Sequence, residues 1–199
     1  MRIWHPLEAA ELPDDGSIEW APVAPYWAVL WRSGVALARE LAGVDLHGRR
    51  VIELGCGLGL PSIVAARNGA DVLATDMDSE ALELLSHNAR ENGVAVETAV
   101  AEWSAAEEIV RRGPFDLVIG ADVLYEPKSM EPLISLLPSL APEAWVVDPG
   151  RPASHLFIEQ AEPGWEVRTE RRGVVSVYRL RLVPFASSSR REPGGGVEA

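Results

Sequence analysis

A chain of 199 residues with 47% apolar residues is long enough for one domain with a substantial core, which excludes a small disulfide-stapled scaffold. Thirty acidic against eighteen basic residues give a formal net charge of −12, which opposes attachment to a phosphate backbone and argues against nucleic acid as a partner. Cys56 is the single cysteine, the four histidines lack ligand spacing, and no stretch approaches the ~20 apolar residues of a membrane span, so the expectation is a monomeric cytoplasmic protein without disulfide, metal or membrane attachment.

The first 45 residues hold four of the seven tryptophans and one expected helix, from Ala28 to Leu41, with Trp27 and Trp31 sharing a face and Trp27 in the core. From Arg49 onward, β-rich apolar segments alternate with helix-like ones, the pattern of a parallel sheet with crossover helices. "RRVIELG" reads as the first strand and "LPSIVAARNGA" as the helix after it; "DVLATD" is the second strand. "SEALELLSHNARENG" is a helix with Ser79 as N-cap, apolar residues at 82, 85 and 89, and Gly93 as its stop. "AVETAVAEW" is a third, more exposed strand, "FDLVIGAD" a fourth, "SMEPLISLLPSLA" a Pro-interrupted helix and "EAWVVDPG" a fifth strand. After a short helix near "SHLFIEQA", "WEVRTERR" and "VVSVYRLRLV" flank Gly173 and alternate apolar residues with Arg, as in an antiparallel hairpin with one solvated face. The total is seven strands, mostly parallel, with helices on both faces. Residues 1–45 are expected to cover the core of the same domain, residues 46–185 to form that core, and residues 186–199 to be a disordered tail.

"VIELGCGLGLPS" has the form strand, glycine turn, helix, which places a nucleotide site at the carboxyl end of a strand. Gly55, Gly57 and Gly59 are spaced by two, and Leu60 stands where a pyrophosphate-binding turn would need its third glycine. A flat, phosphate-free ligand fits better. Glu53, two residues before Gly55, suits a cationic ligand, and Asp76 at the end of the second strand can accept hydrogen bonds from ribose hydroxyls. An adenosyl ligand with positive charge and no pyrophosphate meets these demands, and S-adenosylmethionine is such a compound. The alternative is that the glycines only permit close strand-to-helix packing.

"ELGCGLGL", "ATDMD", "AEW" and "FDLVIGADVLYE" resemble the class I S-adenosylmethionine-dependent methyltransferases with a Rossmann-like sheet. Asp122, Val123, Leu124 and Tyr125 match the Asp-x-x-Tyr of the protein-lysine methyltransferases among them. "APYWAVLWRSGVALARELAG", "VVDPGR" and "VVSVYRL" resemble the bacterial relatives of the enzymes that methylate the electron-transfer flavoprotein β-subunit. The resemblance implies cofactor binding by Glu53, Gly55, Gly57 and Asp76, with Met77 beside the adenine and Ala121, which closes the fourth strand, in the same set. Trp103 matches a Trp packed at the adenine, and Trp31 one that covers the methionine end. Glu102 stands where relatives often carry Asp, and Arg32 where many carry Pro.

The activity the resemblance implies is methyl transfer to an amine nitrogen, with a protein lysine side chain as acceptor. A lysine with pKa near 10.4 is protonated at neutral pH, and neutralising it costs about 4 kcal/mol. As catalytic residues, Asp122 would hydrogen-bond the amine and draw it out of water, and Tyr125 would offer an aromatic face to the cation. A small-molecule amine acceptor and a non-catalytic cofactor-binding partner protein remain as alternatives. "DPGR", residues 148–151, reads either as part of the acceptor entrance or as a turn needing Pro and Gly.

Overall fold

The computed structural model describes residues 1–6 and 25–183. Seven strands, β1 (Arg50–Leu54), β2 (Asp71–Asp76), β3 (Glu97–Val100), β4 (Leu117–Ala121), β5 (Glu143–Asp148), β6 (Trp165–Arg172) and β7 (Val175–Leu182), form one sheet in the order β3-β2-β1-β4-β5-β7-β6. The first five run parallel, and β7 enters antiparallel between β5 and β6. Among the described residues six α-helices accompany them: α1 (Arg32–Ala42), α2 (Leu60–Arg67), α3 (Ser79–Glu91), α4 (Glu107–Arg111), α5 (Met130–Leu140) and α6 (Ala153–Ala161). The expected seven-stranded, mostly parallel sheet with a C-terminal hairpin is therefore present.

Period-two alternation along the strands divides the core into two layers. Ile52, Leu54, Val118, Ala144, Val146, Tyr178 and Leu180 point to the layer that α5 and α6 close with Leu133, Leu137 and Phe157. Val51, Leu117, Ile119, Trp145, Val147, Val175 and Val177 point to the other, closed by Leu37 and Leu41 of α1 and Ala65 of α2. β7 is consequently buried over residues 175–178, and the solvated part of the hairpin is β6. Arg172 of β6 and Arg179 of β7 both bond Glu40 of α1, and the Arg179 guanidinium lies 4.5 Å over the Trp145 ring.

Two helix starts differ from expectation. Instead of one helix from Ala28, a 3-10 turn at Tyr26–Ala28 is followed by extended chain, and α1 begins at Arg32. The Trp31 indole N–H donates to Tyr26 O at 3.0 Å and the Trp31 N–H to Val29 O at 3.1 Å, local bonds that hold the chain out of the helix. Trp27 and Trp31 thus do not share a helical face, and Trp27 is only partly buried. At α3 the cap is Asp78, whose side chain accepts the Glu80 N–H at 2.9 Å, while Ser79 is the first helical residue. α4 was not foreseen, and α5 continues through Pro138 to Leu140. The expected tail, Trp20 and the segment 7–24 lie outside the described residues.

An unforeseen tether runs along α3. Asn88 and Asn92 each bond the backbone of the N-terminal segment twice: Asn88 accepts the Trp4 N–H at 2.8 Å and donates to Trp4 O, and Asn92 does the same for Arg2. Asn88 also donates to Leu58 O in the glycine turn at 3.2 Å.

Glycine substitutions separate backbone strain from packing. At Gly93, φ is +71° with open space around a built Cβ; at Gly59, φ is +77° and a Cβ would lie 2.3 Å from Leu85 Cγ. Gly93→Ala is expected to cost about 1 kcal/mol. Gly59→Ala is expected to cost about 3 kcal/mol or more, because the buried Leu85 must also move. Urea unfolding of both variants checks the difference, and equal costs would show that Leu85 yields freely.

Candidate functional site

The strand order reverses between β1 and β4, whose following helices lie on opposite faces of the sheet. Such a switch point opens a crevice at the carboxyl edge. The glycine turn follows β1 there, Asp76 ends β2, Trp103 follows β3, Asp122 and Tyr125 follow β4, and Asp148 ends β5. All sequence-predicted site residues therefore lie at one edge of the sheet, apart from Trp31, which joins it from the N-terminal segment through Arg151.

Gly55, Gly57 and Gly59 all have positive φ, 68°, 47° and 77°. A Cβ at Gly57 would lie 2.9 Å from Trp27 O, and one at Gly59 would enter Leu85. At these two positions the space left by the missing side chain is filled by protein, so close packing accounts for them before any ligand does. A Cβ at Gly55 would lie 3.2 Å from Val123 Cγ1 and 3.9 Å from the Trp103 ring, which brings the turn against the segment after β4.

Glu53 is 1% exposed. One carboxyl oxygen accepts the Ser62 N–H at 3.0 Å and contacts the Ser62 hydroxyl, holding the start of α2 over β1. Burial pushes the Glu53 carboxyl up to about 8, with the Ser62 bonds opposing the shift and the nearby Asp76 adding to it. Asp76 accepts the Gly57 N–H at 2.9 Å and the Asp78 N–H at 3.1 Å, pinning the glycine turn to the end of β2, and burial raises its carboxyl as well. Met77 is 67% exposed beside it, and Trp103 is half-buried against the core at the start of a 3-10 turn.

Asp122 is the one non-glycine residue with positive φ among the described residues, at 59°. Its N–H donates to Val147 O at 2.9 Å, fixing it to β5, while Ala121 pairs with Val147 in the ladder. Its carboxylate receives Arg151 Nη2 at 2.5 Å. Tyr125 is 51% exposed, with its phenol raised by burial and by the neighbouring acids Glu126 and Asp76, so its hydroxyl stays protonated at neutral pH. The Asp148 carboxylate takes the Gly150 and Arg151 N–H groups at 2.7 Å each, so "DPGR" is a turn, and its Arg reaches the predicted catalytic carboxylate. That partnership was missed from sequence; the only available signal was a lone Arg at a strand end opposite an Asp.

These residues fit a cationic adenosine derivative. Two acids, Glu53 and Asp76, are raised by burial and gain from a cation, and the buried Trp27 indole N–H, on the residue abutting Gly57, has no acceptor among the described residues. A profile of the lysine methyltransferase family matches residues 25–147. The chain belongs to that family. Over 121 residues it is 40% identical to the protein N-lysine methyltransferase METTL21A of Danio rerio, covering 57% of this chain and 55% of that protein. Over 153 residues it is 33% identical to the electron transfer flavoprotein beta subunit lysine methyltransferase of Xenopus laevis, covering 72% of this chain and 61% of that protein. The chain thus spans little more than half the length of these relatives. The fold is shared with magnesium protoporphyrin IX methyltransferase of Synechocystis PCC 6803, solved with bound SAM, at a TM-score of 0.56 and 23% identity over 74% of this chain and 77% of that one.

Stability reports on the buried acid of this family member. Between pH 4.5 and about 8 the folded chain keeps a proton on Glu53 that the unfolded chain has released. Folded-state stability therefore falls as pH rises through that window, by up to ~1.4 kcal/mol per unit. Asp76 and Asp148, also raised, act in the same direction. Glu53→Gln is expected to flatten the fall between pH 6 and 8.5 in urea unfolding; an unchanged slope would mean that Glu53 ionises freely in the folded chain.

Proposed function

We propose that this protein transfers a methyl group from S-adenosylmethionine to an amine nitrogen, with a protein lysine side chain as the acceptor. The observation that carries the reading is the Asp122 carboxylate, held on a left-handed backbone at the switch point with Tyr125 beside it, across from a glycine turn flanked by buried acids. Family membership supports the same chemistry, and the names of METTL21A and the flavoprotein enzyme support lysine as acceptor.

When bound, S-adenosylmethionine supplies a methyl group activated by a sulfonium. Asp76 is suited to the ribose hydroxyls, because its two oxygens are already oriented by the Gly57 and Asp78 N–H groups. Met77 and Trp103 supply apolar surface beside it. Glu53, protonated in the resting protein, would supply negative charge under the turn once a cation lies beside it. Gly55 would leave the main chain open to the ligand, Gly57 holds the turn against Trp27, and Ala121 offers a small side chain at the end of β4.

Asp122 accepts a hydrogen bond from the incoming ammonium and holds its nitrogen in the crevice, replacing lost hydration. Tyr125, half exposed and neutral, gives the alkylammonium an aromatic face, worth about 0.5 to 2 kcal/mol. The acceptor's proton leaves to solvent on this open side. Positioning is the main work, since in-line displacement needs the two reacting atoms aligned and close.

Tritiated-methyl labelling of a lysate from a strain lacking this gene tests the reading. The native protein is expected to label a protein band. Asp122→Asn is expected to lose 100-fold or more of that rate while calorimetry finds cofactor affinity within a few-fold of native. Label confined to the small-molecule fraction would transfer the reading to a small amine, and a chain that binds neither S-adenosylmethionine nor S-adenosylhomocysteine would end it.

Binding also has a proton signature. At pH 7 Glu53, titrating near 8, is mostly protonated, and a cation beside it favours its ionised form. Calorimetry in two buffers of different ionisation enthalpy is expected to find a proton released with S-adenosylmethionine, and none with Glu53→Gln. Equal apparent enthalpies for the native protein would remove Glu53 from the cation's surroundings.

A further inference from the structure

Around the acceptor side of the crevice, one guanidinium stands between two carboxylates. Arg151 Nη2 lies 2.5 Å from Asp122 Oδ1, while Arg151 Nε lies 3.7 Å from Asp148 Oδ2. The second contact is too long for a hydrogen bond. Both of its atoms are buried and have no hydrogen-bond partner among the described residues. The guanidinium carbon also lies 5.6 Å over the Trp31 ring.

We propose that Arg151 is a resident cation that occupies the acceptor's seat on Asp122 in the resting protein and passes to Asp148 when an ammonium arrives, an inference that rests on the amine-methylation reading above. The chemistry of the three side chains supports it. Asp122 is the carboxylate that receives the acceptor in the proposed reaction, and Arg151 already bonds its Oδ1. Asp148 is fully buried, with Oδ1 satisfied by the Gly150 and Arg151 N–H groups and Oδ2 left open toward Arg151. A shift of under about 1 Å closes the 3.7 Å gap to hydrogen-bond length and gives both of those atoms a partner. The same shift can stretch the 2.5 Å bond to Asp122 toward the limit of hydrogen-bond length, where an arriving ammonium competes for the carboxylate. The Trp31 face offers the guanidinium a contact that does not depend on which carboxylate it bonds.

The charge count gives the device its selectivity. Two carboxylates and one guanidinium leave one negative charge, so one further cation completes the set and a neutral molecule gains nothing by displacing Arg151. Arg151 also keeps the resting crevice from presenting two adjacent unpaired acids; Asp148 already feels the charge of Asp122. Arg151 is thus a positioning residue that acts on the acceptor through Asp122 and need never touch the methyl donor.

The test uses the full chain and n-butylammonium chloride as a mimic of the lysine head, titrated at constant ionic strength and followed by amide chemical shifts. Arg151→Met is expected to raise n-butylammonium affinity at least fivefold, and the gain is expected to vanish in the Asp122→Asn/Arg151→Met double variant. Asp148→Asn, which keeps the oxygen that caps the turn, is expected to lower the affinity because Arg151 then has nowhere to go. Unchanged or weakened binding by Arg151→Met, a gain that survives loss of the Asp122 charge, or unaltered binding by Asp148→Asn would overturn the proposal, as would absence of any binding. No methyl donor enters the titration, so its outcome is separate from that of the labelling experiment, which alone decides whether methyl transfer occurs.

Discussion

The parallel pairing of β1 with β4 is the constraint on which the rest of the molecule depends. Val51, Ile52 and Glu53 lie in register with Leu117, Val118 and Ile119, and a slip of one residue would turn each of these side chains to the wrong layer. From this pair the chain departs to opposite faces, through the glycine turn into α2 and through Asp122 toward α5. The crevice follows from that divergence. Every other feature of the site, from the Asp76 bond to Gly57 to the Asp122 bond to Val147, ties a neighbouring strand end to one of these two departures.

The crevice gathers negative charge and satisfies it sparingly. Glu53, Asp76, Asp122 and Asp148 stand at adjoining strand ends, where backbone N–H groups of Ser62, Gly57, Asp78, Gly150 and Arg151 serve three of them. Those bonds lower the carboxyl pKa values, yet burial outweighs them at Glu53, Asp76 and Asp148. An edge built in this way gains from cations. Both groups in the proposed reaction arrive as cations, the donor as a sulfonium and the acceptor as an ammonium that then loses a proton to solvent, so one electrostatic arrangement draws in donor and acceptor alike.

Much of this was legible because it is local. Strand runs such as Val118 to Ala121 and the positive-φ glycines leave their mark within a few residues, and the helix period of α3 is written at 82, 85 and 89. What escaped involves partners distant in the chain. The Asp122–Arg151 bond spans 29 residues and the Asn88–Trp4 tether 84, and neither is encoded in any window of sequence. The start of α1 escaped for a different reason: the apolar spacing around Trp27 and Trp31 suits a helix, while the Trp31 indole bonds a backbone carbonyl instead. Glycines 57 and 59 were legible as a turn, but the Trp27 carbonyl and Leu85 that fill the space beside them were not.

The spacing of Asp122 and Tyr125 has its cause in the two residues between them. Val123 and Leu124 are buried; Val123 lies against Gly55 and Gly120, and Leu124 is in the α5 layer of the core. They anchor the segment, leaving residues 122 and 125 to project at the crevice edge. The turn that achieves this requires φ near +59° at its first residue, a conformation that costs most side chains ~1 to 2 kcal/mol. Glycine would adopt it freely but carries no charge, and asparagine would tolerate it but is neutral. Glutamate would carry the charge on a side chain one methylene longer, in a conformation that favours Asp and Asn over most other residues. Aspartate meets the backbone demand and the electrostatic demand together, which is why it opens the turn that leaves a strand otherwise built for burial.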